Sequence, residues 1–256
     1  MELKLSLKSH SIGSRFIYLI FPRRIVTEVN TVRIAAVSDV HSPRYFAEFE
    51  RSLSLLDTPD LFLLAGDMVN RGLIQEYDRV VNALEAKLER TVPIVSCLGN
   101  EEYNEDRMEL VEQTRHMIRF LEDDAIVLEV AGREIGIVSG PAPLDRRSKT
   151  TELGGRSIRQ RFEQRINRLS SLIEETAEKA SYTILLMHYS PLAETSSAGD
   201  ELLFSWWIAE AMMTTRPDLI VHGHTHSATH SRIEIEGTPI YNVAIPATGV
   251  ITRIHL

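Results

Sequence analysis

The sequence predicts an α/β fold, and three features of the chain indicate this class. Short apolar runs rich in β-branched residues recur along the chain. Longer segments, in which apolar residues have helical spacing, separate most of these runs. Polar residues and glycines follow directly where the apolar runs end. Alternation of this kind is typical of strands joined by helices in a largely parallel sheet.

The first half of the chain contains three predicted pairs of a strand and a following helix. The strands are expected at 32–37, 61–65 and 92–98. The helices are predicted from apolar residues three and four positions apart, at 45–56, 74–89 and 108–121. The last helix depends on Leu110, Val111, Met117, Ile118 and Leu121.

The second half is predicted to continue the alternation and then to end differently. Two short strands are expected at 125–130 and 134–139, followed by an exposed amphipathic helix at 157–180. A strand, a helix and a strand are then expected at 182–187, 202–213 and 219–221. From Arg232 onward, the Gly237-Thr238 turn lies between two extended runs, and Pro246 precedes a third. This ending favours an antiparallel patch over another strand-helix-strand unit.

Length and composition indicate a single domain over residues 1–256. A chain of 256 residues, 43% hydrophobic and 25% charged, can bury a substantial core, which excludes a disordered chain. Residues 1–30 are expected to form an N-terminal arm or edge strand, with an interfacial anchor as the alternative. Their apolar run 16–21 is too short to span a bilayer and lacks a cleavage site of small residues. We therefore expect a cytoplasmic protein without a membrane partner.

Charge and cysteine content narrow the classes of function. The net charge of −8 disfavours a protein that coats nucleic acid, because that requires a basic surface. We expect no stable nucleic-acid complex. Cys97 is the only cysteine, which excludes an intrachain disulfide and a thiolate cluster for zinc.

Polar side chains follow five of the apolar runs directly. They are Asp39 with His41, Asp67, Asn100, His188, and His224 with His226. In open α/β sheets the carboxyl ends of the strands meet at one edge, where ligands bind. The sequence therefore predicts that these seven side chains come together at one site.

Each of these residues alone has a simpler explanation, because Asp and Asn after a strand often cap a helix or form a turn. Capping does not account for the pairs with alternate spacing, Asp39 with His41 and His224 with His226. Alternating residues of an extended segment point to the same side and can bind one centre or two neighbouring centres. The two pairs therefore favour metal binding.

The ligand types select the chemistry of the site. Carboxylates, imidazoles and an amide oxygen suit Mn²⁺, Fe or Zn²⁺ in a mixed nitrogen and oxygen shell. Seven ligands exceed the needs of one zinc ion but match two ions that share a carboxylate. Two such ions, about 3.5–4 Å apart, can generate a hydroxide nucleophile and bind the oxygens of an in-line displacement. We expect two divalent ions, with Mn²⁺ first and Fe, Zn, Ni or Co as alternatives, and phosphoester hydrolysis as the reaction.

The ordered motifs resemble those of the calcineurin-like metallophosphoesterase family. They are Asp-x-His at 39–41, Gly-Asp at 66–67, Gly-Asn-x-Glu at 99–102, the single His188, and Gly-His-x-His at 223–226. The resemblance implies a four-layer αββα sandwich of two mixed sheets flanked by helices. It also implies two ions bridged by Asp67: one held by Asp39, His41, Asp67 and His226, the other by Asp67, Asn100, His188 and His224.

The resemblance adds Arg71 and Glu101 to Asp67 and Asn100 as candidate catalytic residues. Arg71 stands where some family phosphatases bind substrate phosphate, a task that suits a guanidinium because it donates two parallel hydrogen bonds. A surface ion pair is the alternative for Arg71. Asn70 differs from the Asp that precedes this arginine in those phosphatases.

Glu101 is the larger departure from the family pattern. Most members have a His at this position, and that His is thought to protonate the leaving group or to stabilise the transition state. An ionised carboxylate has no proton to donate at neutral pH. The sequence therefore leaves open how the leaving oxygen is handled.

The leading hypothesis is a phosphodiesterase or phosphomonoesterase acting on a small, nucleotide-like phosphoester. One alternative is a non-catalytic binding scaffold on the same fold, which predicts eroded ligands, whereas all seven are present. A second is a nuclease of the same family, which the chain length and the net acidity disfavour. The choice between diester and monoester, the native metals and the presence of an oligomer stay open.

Overall fold

The structure is a computed structural model that describes residues 31–89, 91–140, 158–191, 211, 215–228 and 230–256. Within these ranges the chain forms two mixed β-sheets, and helices cover the outer face of each sheet. The predicted α/β class and its four layers are therefore confirmed. The predicted arm within 1–30 and most of the predicted helix at 202–213 lie outside the described residues.

The first sheet contains the strands that were predicted in the first half of the chain. Its members are β1 (Arg33–Val37), β2 (Leu61–Ala65), β3 (Ile94–Cys97), β4 (Ile118–Phe120) and β11 (Thr252–His255). They lie in the order β11-β1-β2-β3-β4, with β11 antiparallel to β1 and the other pairs parallel. The helices on its outer face are α1 (Phe46–Ser54), α2 (Gln75–Lys87) and α3 (Arg107–Thr114).

The second sheet is built from strands between Asp124 and Asn242. Its strands are β5 (Asp124–Val130), β6 (Arg133–Ser139), β7 (Tyr182–Leu186), β8 (Leu219–His222), β9 (Arg232–Ile235) and β10 (Thr238–Asn242). They lie in the order β5-β6-β7-β8-β10-β9. Helix α4 (Ile158–Ala177) packs on the outer face, and the short helix α5 (Ile245–Thr248) connects β10 to β11.

Strand β2, at the centre of the first sheet, is apolar throughout because both of its faces are buried. In β2, Phe62 and Leu64 pack with the helices, whereas Leu61 and Leu63 belong to the cluster between the two sheets. Successive side chains of a strand point to opposite faces, so a strand between two apolar layers needs an unbroken apolar run. This burial explains why the runs in the sequence are continuous and not alternating.

The helix predicted at 108–121 is wrong in its second half. Helix α3 ends at Thr114, and Ile118 then lies beside Ile94 as the first residue of β4. Ile118 is buried between the sheet and its helices, and Leu121 is buried between the two sheets. Short apolar runs fit a helix or a strand equally well, and here the free edge of β3 decided the outcome.

The antiparallel ending predicted after Arg232 is confirmed in part. Strands β9 and β10 pair antiparallel across the Gly237 turn. Strand β10, however, also pairs parallel with β8, and Pro246 lies in the first turn of α5. The last run, β11, returns to the first sheet beside β1. The end of the chain therefore contributes to both sheets.

The two sheets bring their polar strand ends to the same place. Strands β1, β2 and β3 are parallel neighbours, and β7 and β8 are parallel neighbours in the other sheet. The Ser38 N–H after β1 donates to the Val243 carbonyl oxygen after β10 at 3.0 Å. Among the described residues, no helix has the length and apolar character that a membrane span requires.

Candidate metal centre

The candidate ligands lie in tight reversals of the chain that follow the strands directly. Asp39, His41, Asp67 and His224 have positive φ angles of 56°, 42°, 53° and 67°. This left-handed region costs a non-glycine residue about 1–2 kcal/mol. The first two loops support each other, since the N–H groups of Asp39 and His41 donate to the carbonyl oxygens of Gly66 and Asp67, both at 3.0 Å.

One group of side chains combines residues from the two ends of the sequence. The Asp39 Oδ1 atom lies 2.8 Å from His226 Nε2 and 3.5 Å from His41 Nε2. The two imidazole nitrogens, His41 Nε2 and His226 Nε2, are 3.2 Å apart. These three side chains therefore offer one oxygen and two nitrogens to a common point.

A second group lies beside the first. The His188 Nε2 atom is 3.3 Å from Asp67 Oδ2, 3.3 Å from His224 Nδ1 and 3.1 Å from Asn100 Oδ1. Asp67, His188 and His224 thus form a second set with mutual distances suited to one ion. Asn100 adds an amide oxygen at its edge.

Asp67 connects the two groups through one carboxylate oxygen. Its Oδ2 atom faces His188 of the second group and lies 3.8 Å from His41 Nε2 of the first. Its Oδ1 atom accepts a hydrogen bond from the Glu101 N–H at 2.8 Å. A Cβ atom on Gly99 would overlap Asp67 Oδ1, so glycine is required there. The structure therefore brings all seven predicted ligands together, with Asp67 between the two groups.

Hydrogen bonds on the outer side of His188 and Asp39 leave His188 Nε2 and Asp39 Oδ1 facing the other candidate ligands. His188 Nδ1 lies 2.8 Å from the Ala65 carbonyl oxygen, which makes Nδ1 the donor and leaves Nε2 to face Asp67 and Asn100. Asp39 Oδ2 accepts from Ser38 Oγ at 2.6 Å and from the His224 N–H at 2.8 Å, while Oδ1 faces the histidines. Such outer contacts orient ligands toward a bound cation.

The ionisation of the site indicates that it favours a positive charge at its centre. Burial lowers the pKa of His188, but the Asp67 and Asp39 carboxylates raise it more, to about 10. Burial would raise the pKa of Asp39, yet hydrogen bonds from His226 and His41 hold it well below its usual range. Nitrogen and carboxylate donors without thiolate fit two divalent cations of the Mn, Fe or Zn type.

Glu102 is a residue of the site that the sequence reasoning missed. It is only 1% exposed, and its carboxylate accepts three backbone hydrogen bonds. Oε2 accepts from the N–H groups of Asp67 at 2.9 Å and Gly99 at 2.7 Å, and Oε1 accepts from Met68 at 2.7 Å. Burial and the nearby Asp67 raise the pKa of Glu102. Its only signal in the sequence was its place in Gly-Asn-x-Glu.

Arg71, Glu101 and His222 lie around the ligands. Arg71 is exposed, and its guanidinium forms no ion pair with any described residue. Glu101 is buried, and its Oε2 atom accepts a hydrogen bond from the Arg71 N–H at 2.8 Å. His222 is a buried residue at the end of β8 that belongs to neither ligand group, and burial lowers its pKa to about 4.

Comparison with known proteins places this site in a family. The model for calcineurin-like phosphoesterases matches residues 32–228, which include every candidate ligand. A protein of Moraxella catarrhalis named as a probable cyclic nucleotide phosphodiesterase is 31% identical over 107 residues. That match covers 38% of this chain and 38% of the relative.

Solved structures of low sequence identity share the fold. The structure of TT1561 from Thermus thermophilus has a TM-score of 0.57 and 13% identity, covering 88% of this chain and 98% of that chain. A dimetal phosphatase from Danio rerio has a TM-score of 0.52 and 15% identity, covering 82% and 86%. The match of the family model over residues 32–228 shows that the chain belongs to the calcineurin-like phosphoesterase family.

Proposed function

We propose that the chain is a phosphoester hydrolase that requires two divalent ions and acts on nucleotide-type phosphodiesters. The observation that carries the proposal is the position of Asp67 Oδ2, which lies 3.3 Å from His188 Nε2 and 3.8 Å from His41 Nε2. A single carboxylate oxygen between two sets of imidazoles suits a pair of ions that share a ligand. A non-catalytic binding scaffold on the same fold has no requirement for a carboxylate placed between two sets of imidazoles.

In this proposal, seven residues of the site would bind the metal ions and Arg71 binds the substrate. Asp39, His41 and His226 would hold one ion, Asn100, His188 and His224 the other, and Asp67 both. Two bound divalent ions supply a nucleophile from water and neutralise charge on the phosphoryl oxygens. Arg71 binds the phosphate of the substrate from the exposed side of the site, since its guanidinium is not committed to a described partner.

The substrate class follows from three observations of different kinds. The relative from Moraxella catarrhalis carries the name of a cyclic nucleotide phosphodiesterase, which supports a nucleotide substrate. The net charge of −8 disfavours long nucleic acid. The Glu101 carboxylate accepts the Arg71 N–H at Oε2, so we assign it no role as a proton donor, and leaving groups that need little protonation, such as aryl oxygens or a phosphate, are favoured over alkyl oxygens.

A hydrolysis panel with Mn²⁺-loaded protein tests this proposal. The panel contains aryl phosphates, alkyl phosphates, cyclic and linear nucleotides, nucleoside diphosphates and sugar-nucleotide pyrophosphates. We expect two ions per chain by elemental analysis, turnover that chelation abolishes, and faster cleavage of aryl than of alkyl esters. Full metal occupancy without hydrolysis of any substrate would support the scaffold alternative, and a content of one ion would contradict the dinuclear site.

Arg71→Ala is expected to weaken catalysis without changing metal content. Loss of a charge-assisted, two-point contact with phosphate should cost about 2–4 kcal/mol of transition-state binding, roughly 30- to 1000-fold in kcat/KM. Arg71→Lys should recover part of this loss, because it keeps the charge but not the planar fork. Arg115→Ala, at the exposed end of α3, is the matched control. A kcat/KM within a few-fold of wild type would make Arg71 structural.

A further inference from the structure

Glu101 contacts the segment that carries Arg71 with both its side chain and its main chain. The Arg71 N–H donates to Glu101 Oε2 at 2.8 Å. The next N–H, that of Gly72, donates to the Glu101 carbonyl oxygen at 2.9 Å. One residue therefore accepts hydrogen bonds from two successive peptide groups.

The two peptide groups belong to an unusual turn. Arg71 and Gly72 have φ angles of 51° and 71°, so both residues are left-handed. A glycine adopts this conformation freely, whereas Arg71 needs compensation of about 1–2 kcal/mol. A Cβ atom on residue 72 would overlap the ring of Tyr103, so glycine is required at position 72. The hydrogen bond from the Arg71 N–H to Glu101 Oε2 offsets part of the cost of this conformation.

Glu101 also connects this turn to the metal ligands. Its own N–H donates to Asp67 Oδ1 at 2.8 Å, on the side of the carboxylate away from the histidines. Glu101 is 6% exposed, so its contacts are protected from water. Glu101 is thus hydrogen-bonded both to the shared ligand Asp67 and to the backbone of Arg71.

We infer that Glu101 is a positioning residue that holds the Arg71 turn against the metal centre, so that the guanidinium meets the phosphate of the substrate. This inference rests on the proposed function. The Arg71 guanidinium has no described side-chain partner to direct it, so its direction depends on the backbone that Glu101 holds. Glu101 acts as a hydrogen-bond acceptor in this role and donates no proton to the leaving group.

A double-mutant cycle on phosphate binding tests the inference without turnover. Binding of inorganic phosphate to Mn²⁺-loaded protein is measured by calorimetry for wild type, Glu101→Ala, Arg71→Ala and the double variant. We expect each single variant to lower phosphate affinity about tenfold, and the double variant to bind no more weakly than Arg71→Ala. Additive losses would overturn the inference, as would an Arg71→Ala variant that binds phosphate like wild type.

Two conservative variants separate positioning from carboxyl chemistry. Glu101→Gln keeps an acceptor oxygen at the same distance and should lose only about twofold in phosphate affinity. Glu101→Asp keeps the charge but shortens the side chain by one methylene, and should lose about tenfold. If Glu101 acted instead as a catalytic carboxyl group, Glu101→Gln should be affected more strongly than Glu101→Asp. The comparison also remains available if Glu101→Ala fails to fold.

Kinetics and metal content complete the test. With an aryl phosphate substrate, Glu101→Ala should raise KM about tenfold and change kcat less, with two ions retained by elemental analysis. Loss of an ion in the Gln variant would overturn the inference, because Glu101 would then support the metals directly. If wild type binds phosphate as described and hydrolyses no substrate, the proposed function fails while the positioning role of Glu101 stands.

Discussion

Asp67→Asn is expected to lower phosphoester hydrolysis on the order of 10⁴-fold, the scale seen when one essential catalytic group is removed. The substitution keeps the size of the side chain but removes the charge that two ions would share. Both groups of ligands are affected, because Asp67 Oδ2 faces His188 in one and His41 in the other. Elemental analysis should show fewer than two ions per chain after equal loading and desalting.

Two comparisons make the Asp67 result specific. His226→Ala should weaken chiefly one ion, since His226 contacts Asp39 and His41 and belongs to a single ligand group. Asp78→Asn, on the exposed face of α2, should leave metal content and turnover at the wild-type level. The shared-ligand role is wrong if Asp67→Asn retains two ions with affinities within about threefold of wild type. Even the loss of a residue that only hydrogen-bonds to a metal ligand typically lowers metal affinity about 10- to 100-fold.

Glu102→Leu is expected to destabilise the metal-free protein by about 3–5 kcal/mol. The buried carboxylate accepts three backbone N–H groups, from Asp67, Met68 and Gly99, and leucine accepts none. Three buried donors then lose their partner, and the loops that carry Asp67 and Asn100 lose their common support. Urea unfolding without metal measures the effect, because bound ions would add their own stabilisation.

The Glu102 variant has a matched control on the neighbouring helix. Glu112→Gln removes an exposed ion pair with Arg115 and should change stability by no more than about 0.5 kcal/mol. Glu102→Gln should lie between the two, since one of its amide atoms must face an N–H donor. A Glu102→Leu protein as stable as the Glu112→Gln protein would show that the loops hold their conformation without this carboxylate.

The layers of the fold could be predicted because burial leaves a strong local pattern. Strand β2 lies between two apolar layers and therefore appears as an unbroken apolar run, and β1 and β7 appear as mainly apolar runs for the same reason. The helix prediction at 108–121 was wrong in its second half because it also depended on a local pattern. Ile118 and Leu121 fit helical spacing, yet the partner that decides their conformation is β3, which no local pattern contains.

The sequence predicted which side chains come together, whereas it did not predict the backbone conformation that brings them together. Alternate spacing indicated that Asp39 pairs with His41 and that His224 pairs with His226. In the structure, Asp39, His41 and His224 have left-handed backbone conformations. The pair His224 and His226 divides between the two ligand groups. His226 joins Asp39, and His224 joins Asp67. The family resemblance implied this division, whereas the spacing alone did not, because the division depends on contacts between segments far apart in the chain.

The sequence by itself determined the α/β class, the order of the strand ends and the seven donor side chains, because each of these depends on the chemistry of neighbouring residues. Only the tertiary structure decided which side of Asp67 faces the histidines, that Glu102 is buried beneath the loops, and that Glu101 accepts the Arg71 N–H. The physical reason is that a hydrogen bond requires both partners within about 3 Å. Such distances between remote residues are set by the packing of the two sheets.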